Sequence, residues 1–440
     1  MTKTSHNSFA LRGRIAHFVG DPGVKPDNLV YFDDGVLQVE GGKIRLCTDA
    51  KQAAGQGFDL AQCEWLPDQL IVPGFIDTHV HSPQVDVMAS YGTQLLDWLN
   101  NYTFPAEARF SDENYATEAA NDFLDYSLSV GTTTSFVYTT SYKQSTDALF
   151  DAALKRDLRL VAGKVLMDQN ALPALQDTAQ SGYFDSLALI RKWHGKGRLG
   201  YAVTPRFSGT SSVDQLALTG KLLRECPDVW LQTHMSENLE EIRWLKTVHP
   251  HARDYLDSYD QYGLNTQRSI FGHCIHLSDD EIKRLADSGG RVAFCPTSNL
   301  FLGSGLMPIE KLKQAGIPVS IATDVGGGTS LSMLTTLGEA YKVCQLQGYS
   351  MHAFEAFYMM TLGNAQAVHL DQYIGNFETG KEADIVVLDN KPTPMMARRL
   401  AQCDQLDEEM FVYMMMGDDR SVSRTYCHGV KQYHKPLREL

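Results

Sequence analysis

None of the eight cysteines has a partner at CxxC spacing; Cys47, Cys63, Cys226, Cys274, Cys295, Cys344, Cys403 and Cys427 stand singly. That excludes zinc ribbons, thioredoxin-type motifs and the cytidine-deaminase kind of zinc site, which need a closely spaced pair. Single cysteines read as small core hydrophobes in a reducing compartment, here the cytoplasm. Basic charge is in deficit as well. Lys plus Arg number 39 against 53 Asp plus Glu, a formal charge of −14. With no basic block, binding a nucleic-acid polymer is excluded as the main activity. No run of about 18 apolar residues occurs, so no membrane span is expected; the densest late run, 410–416, is far shorter. The start, MTKTSHNSFALRGRIAHF, lacks the apolar stretch of a secretory signal. A phosphate-binding loop is missing too: Gly326-Gly327-Gly328 comes late and lacks GxGxxG spacing, which disfavours a doubly wound dinucleotide fold.

What remains is a chain of 440 residues, 43% hydrophobic, enough for a core of ordinary size. Its ends read as short strands separated by turn signals, at 29–32, 36–39 and 43–46 around DDG and EGG, and again at 383–388 and 423–430. Between them, eight apolar runs alternate with amphipathic helical stretches. The strands are expected at 70–79, 132–140, 159–168, 199–207, 230–237, 269–276, 291–299 and 318–324. Helices are expected at 112–130, 145–156, 213–225, 279–288 and 331–346. Runs this continuous in apolar residues suit strands buried on both faces. Eight such units predict an α/β fold, a (β/α)₈ TIM-type barrel over 71–374. Residues 1–70 and 375–440 then form one small β-sandwich-like domain from both chain ends.

A barrel of this kind carries its chemistry at the C-terminal ends of its strands. The first strand ends in Asp77-Thr-His79-Val-His81, and histidines at i and i+2 share one face. The fifth ends in His234 with Glu237 just beyond, the sixth in His273, the eighth in Asp324. A lone HxH is weak evidence; four strand ends supplying such groups to one rim is much stronger. His17, His194, His249, His251, His276, His352, His369, His428 and His434 obey no such rule and read as surface or structural. His79, His81, His234 and Asp324 form a ligand set suited to one Zn²⁺ per subunit, with Fe²⁺ equally compatible, and unsuited to Mg²⁺ or Ca²⁺. Such a metal lowers the pKa of water to about 7. Asp324 is placed to take the water's proton, His273 to orient it, and Glu237 to carry a proton to a substrate nitrogen. The competing role for Glu237 is a charge at a helix N-terminus.

PGFIDTHVH, with His234, His273 and Asp324, resembles the single-metal branch of the amidohydrolase superfamily. The binuclear branch would place a modified Lys at the end of the fourth strand, and none stands near Phe207. Lys164, in the third strand, reads as structural. HSPQ at 81–84, QLLDWLNNYTFPAEARF at 94–110, TPRFSGTSS at 204–212, CPTSNLFLGSG at 295–305 and TDVGGGTSLSML at 323–334 are similar to the guanine deaminase family; Gly92-Thr93-Gln94 departs slightly from its pattern. The resemblance implies hydrolysis of guanine to xanthine and ammonia in purine metabolism, by a homodimer needing no cofactor beyond its metal. It carries substrate contacts onto Gln84, Arg206 and Phe207. Arg206 would donate to the lactam carbonyl, Phe207 would pack on the ring, and Gln84 would read the lactam edge. Competing roles are a carboxylate partner for Arg206 and plain core for Phe207. Trp98, Leu99 and Asn101 would roof the pocket, with packing the competing role for Trp98. The alternatives are a deaminase of another amino-substituted heterocycle, such as an oxidised guanine or a pterin-like base, and a catalytically silent scaffold. A silent scaffold would have no reason to keep all six metal and proton-transfer groups.

Overall fold

The computed structural model describes residues 8–92 and 94–436. Thr93, in the departing Gly92-Thr93-Gln94 segment, and the first seven residues of the N-terminal stretch lie outside the described residues. The chain opens with four strands, β1 (Phe9–Phe18), β2 (Leu29–Glu40), β3 (Lys43–Asp49) and β4 (Cys63–Pro73). The barrel follows with β5 (Phe75–His81), β6 (Thr132–Tyr138), β7 (Arg159–Gly163), its short continuation β8 (Val165–Leu166), β9 (Leu199–Pro205), β10 (Trp230–Met235), β11 (Ser269–His273), β12 (Arg291–Phe294) and β13 (Val319–Ile321). Three late strands complete the chain, β14 (Ile385–Asp389), β15 (Val422–Cys427) and β16 (Val430–His434).

Neighbouring barrel strands pair in parallel from β5 round to β13, with β8 extending the pairing to the end of β9. Every residue of β5, β6 and β9 is buried, as strands covered on both faces require. The expected helices are all present. Val213–Glu225 and Asp279–Ser288 match to the residue, while Glu113–Ser129, Lys143–Lys155 and Met333–Leu346 differ by a residue or two. Ser278 and Glu281 form a capping box at the start of the second of these. The helix Ala179–Trp193 was not expected from the sequence; it too begins with a box, from Thr178 and Ser181.

The two chain ends build a separate seven-stranded sheet in the order β16-β15-β14-β4-β1-β2-β3. Several strand readings change. The run 291–299 is strand only to Phe294 and continues as the helix Pro296–Phe301, and 423–430 is broken by a turn between β15 and β16. The run 70–79 is divided at Gly74 between this sheet and the barrel, where a Cβ would stand 2.2 Å from Thr133 Oγ1. The DDG signal is a bulge inside β2 rather than a turn. Ile15 pairs with Phe32 and Gly13 with Gly35, so two residues of β2 face one of β1. Arg198 ties the sheet to the barrel, donating to Glu382 Oε2 at 2.8 Å and Asp384 Oδ2 at 2.6 Å.

Closure of the barrel matters most for the site, because β5 and β13 carry site residues into it. Thr78 Oγ1 donates to Ser320 Oγ at 2.8 Å, and the Asp324 amide donates to the His79 carbonyl at 2.9 Å. Asn364, fully buried, spans the seam: its Nδ2 donates to Ile76 O and Ile321 O, and its Oδ1 accepts from Ile321 N, at 2.7–2.8 Å. A nonpolar residue there leaves the Ile76 carbonyl and the Ile321 amide without their side-chain partner, while the Ile321 carbonyl keeps Thr78 Oγ1 at 3.3 Å. Asn364→Leu is expected to cost about 2 kcal/mol or more of unfolding free energy, at 1–3 kcal/mol per unsatisfied group. Chemical denaturation monitored by far-ultraviolet circular dichroism measures it; a loss below about 1 kcal/mol would show that other contacts close the seam.

Candidate metal centre and adjoining cavity

Four donor atoms from three strand ends converge on one point. His79 Nε2 lies 3.2 Å from His234 Nε2 and 3.2 Å from Asp324 Oδ1, while His81 Nε2 lies 3.1 Å and 3.3 Å from the same two atoms. Ligands held tetrahedrally at 2.0–2.1 Å from a zinc ion stand about 3.3 Å apart. The donor set therefore fits a small divalent cation. Gly272 makes room for the His79 ring, from which a Cβ there would sit 2.6 Å.

The protonation states agree with this fit. Burial pushes His81 down to about 3, and burial with the neighbouring His79, His81 and His273 rings takes His234 well below the imidazole range. Burial alone would raise Asp324, but His79, His81 and His273 more than reverse it and hold the carboxylate ionised. Neutral rings and one anion are the forms that coordinate a metal. His234 Nδ1 donates to the Arg206 carbonyl at 2.6 Å, which leaves its Nε2 lone pair facing the centre.

His273 sits beside this group. It shares a mutual 4.8 Å neighbourhood with His79, His234 and Asp324. Yet its Nε2 faces the outer oxygen Asp324 Oδ2 at 3.6 Å and Glu237 Oε2 at 3.4 Å, while Oδ1 faces His79 and His81. Its Nδ1 donates to Asn299 Oδ1 at 2.8 Å. Ser236, His273 and Asp324 have φ of +51°, +70° and +50°, left-handed values that cost non-glycine residues energy and gather here at the strand ends. Glu237 is buried, accepts from Ser304 Oγ at 2.9 Å, and is raised to about 8 by burial and the Asp324 charge. It is no helix-end charge. That place belongs to Glu241, which accepts from the amides of Glu237 and Asn238.

A cavity opens onto this centre. His81, His234, Glu237, His273 and Asp324 form one end; Gln84, Arg206, Phe207, Trp98, Leu99 and Leu302 are among the residues lining the rest. Asn101 is exposed and takes no part. Trp98 does both things expected of it, lining the cavity while packing with Leu95, Leu99 and Phe104. Arg206 likewise lines the cavity and has a carboxylate partner, Glu107. Glu107 was not singled out from the sequence. It lies on a helix of the 94–110 insertion, Phe104–Ala108, and only its acidic character within YTFPAEARF marks it.

Lys164 pairs with Asp177 at 2.5 Å and does not line the cavity. Among the remaining histidines, His249 meets Ser208 O, His276 meets Ser304 O and His369 meets Gln267 O, all structural contacts.

Residues 70–431 match the amidohydrolase family. The chain belongs to that family. It is 45% identical to the guanine deaminase of Escherichia coli K12 over 438 residues, covering 99% of this chain and all of that protein. The solved E. coli guanine deaminase superposes with a TM-score of 0.95 over 97% of this chain and the whole of the other. A Clostridium acetobutylicum guanine deaminase, solved with guanine in its active site, is 29% identical with a TM-score of 0.86, covering 97% of this chain and all of its own. Among the described residues no helix is long and apolar enough to cross a membrane.

Two variants test which of these histidines hold a metal. His234→Ala removes a central donor and should leave the purified protein nearly metal-free by plasma mass spectrometry. His273→Ala should keep near-stoichiometric metal. Metal loss in the second variant would place His273 among the ligands.

Proposed function

We propose that this amidohydrolase is a guanine deaminase, converting guanine and water to xanthine and ammonia. The observation that carries the reading is a single cavity lined both by His81, His234, Glu237, His273 and Asp324 and by Gln84 and Arg206, whose donors and acceptors suit a lactam. The 45% identity to the E. coli enzyme supports it. We assign His79, His81, His234 and Asp324 to one metal ion, zinc by its donor set, with Fe²⁺ compatible. When bound, the ion supplies Lewis-acid activation of water at neutral pH.

The chain's own groups do the rest. Arg206 donates to the carbonyl at C6, Gln84 reads the adjoining ring edge, and Phe207 and Trp98 hold the flat ring among apolar surfaces. This orientation presents C2 and its amine to the Glu237 end. Asp324 takes a proton from the attacking water, with His273 fixing the water's direction through Nε2. Glu237, raised to about 8 and so protonated at neutral pH, gives its proton to the ring nitrogen beside C2. Water oxygen adds to C2, a second proton reaches the amine, and ammonia leaves as the carbonyl of xanthine forms. Burial of every polar participant keeps bulk water from competing.

Metal-replete protein should therefore consume guanine in a spectrophotometric assay, in preference to other aminopurines and aminopteridines. Guanine left untouched would overturn the reading. Because Glu237 must be protonated to act as the acid, kcat/KM should decline as pH rises through about 8; an alkaline optimum would mean that Glu237 works from its ionised form. Glu237→Gln should keep the metal and lose about 10²–10⁴-fold in kcat, the usual contribution of a proton-transfer group. Metal loss in that variant would make Glu237 a ligand instead.

A further inference from the structure

The lactam-reading end of the cavity is organised around a charge that does not itself line it. Glu107 is fully buried. Arg206 Nη1 donates to both its oxygens at 2.8 Å, and Gln84 Nε2 donates to its Oε1 at 3.0 Å. The Gly326 amide donates to Gln84 Oε1 at 3.1 Å, so the Gln84 amide is held from both sides in one orientation. Phe104, on the same short helix as Glu107, lies with its ring centre 5.3 Å from the Arg206 guanidinium. Among the described residues Arg206 reaches Glu107 through Nη1 alone, which leaves the rest of its planar fork directed elsewhere.

An unpaired guanidinium in so dry a place would attract any anion that fitted. With a carboxylate at 2.8 Å the pair is neutral as a whole, so the Glu107 charge behind Arg206 offsets the attraction that Arg206 would exert on a ring bearing negative charge. We propose that Glu107 is a positioning residue that sets the charge specificity of the pocket, making it select uncharged lactam rings and turn away ring anions. The proposal rests on the guanine deaminase reading. Guanine is uncharged at neutral pH, whereas xanthine loses a ring proton just above neutrality. The same device that admits the substrate therefore weakens the hold on the ionised product and favours its release.

The test compares metal-replete wild type with Glu107→Gln, an isosteric change that removes the charge. Guanine kcat and KM are measured, with competitive inhibition by xanthine below and above the ring pKa of xanthine. In wild type, xanthine inhibition should weaken as pH rises. In Glu107→Gln it should strengthen, a relative shift of about tenfold or more for an uncompensated buried charge. Guanine KM should rise about tenfold with kcat within about threefold, the signature of lost binding rather than lost chemistry. Adding Arg206→Met to that variant should abolish the preference for the anion. The proposal is overturned if Glu107→Gln keeps the wild-type pH dependence of xanthine inhibition, or if kcat falls with KM unchanged. Should Glu107→Gln fail to fold, wild type alone decides, because inhibition that tightens with rising pH contradicts the proposal. A wild type that does not consume guanine overturns the deaminase reading before any variant is compared.

Discussion

At the barrel rim, His79 Nε2 and His81 Nε2 each stand 3.1–3.3 Å from both His234 Nε2 and Asp324 Oδ1. Lone pairs facing each other across that distance repel unless a cation lies among them. Much of the surrounding architecture serves to hold this arrangement. Strand β5 brings His79 and His81, β10 brings His234, and the turn after β13 brings Asp324; the arrangement exists only if the first and last barrel strands meet. That is why the seam hydrogen bonds of Thr78 and Asn364, away from any substrate, belong to the account of the site.

Around the centre, charge is placed with economy. His273 lies on the outer side of Asp324, between it and Glu237, so these three groups form a short row leading away from the cluster of donor atoms. At the other end of the cavity, Arg206 and Glu107 cancel. The cavity thus has one strongly polarising end and one neutral, directional end, a combination matched to a flat heterocycle that must be oriented before its amine is displaced.

The barrel was legible in the sequence because most strands buried on both faces are nearly continuous in apolar residues, and the cluster of His79, His81, His234, His273 and Asp324 was legible because the fold puts chemistry at strand ends. Both rules rest on periodicity and position, and both fail where those are silent. Strand β1 was missed because Arg12 and Arg14 interrupt its apolar pattern; each is paired across the sheet or beyond it, with Asp34 and Glu409. The 70–79 run looked like one strand because its residues are buried in both sheets it crosses; only Gly74 marks the passage. Glu107 escaped because it reaches the cavity from an inserted helix, where no strand-end rule applies. A carboxylate with a buried arginine partner from a distant element leaves no local signature. The competing roles considered for Arg206 and Trp98 did not exclude each other; each side chain serves packing or pairing with one part of its surface and the cavity with another.

The small sheet has a consequence for how the chain is made. Strand β4, which leads straight into β5, is flanked by β1 on one side and by β14 on the other. Strand β14 follows the entire barrel in sequence, so during synthesis one edge of β4 stays open until the last barrel helix has left the ribosome. Pairing over so long a separation is slow. An open strand edge is also a template for other chains. Strand β5, with His79 and His81, is thus anchored early on one side only, and the nascent protein passes through a long interval in which its barrel is written but its brace is not.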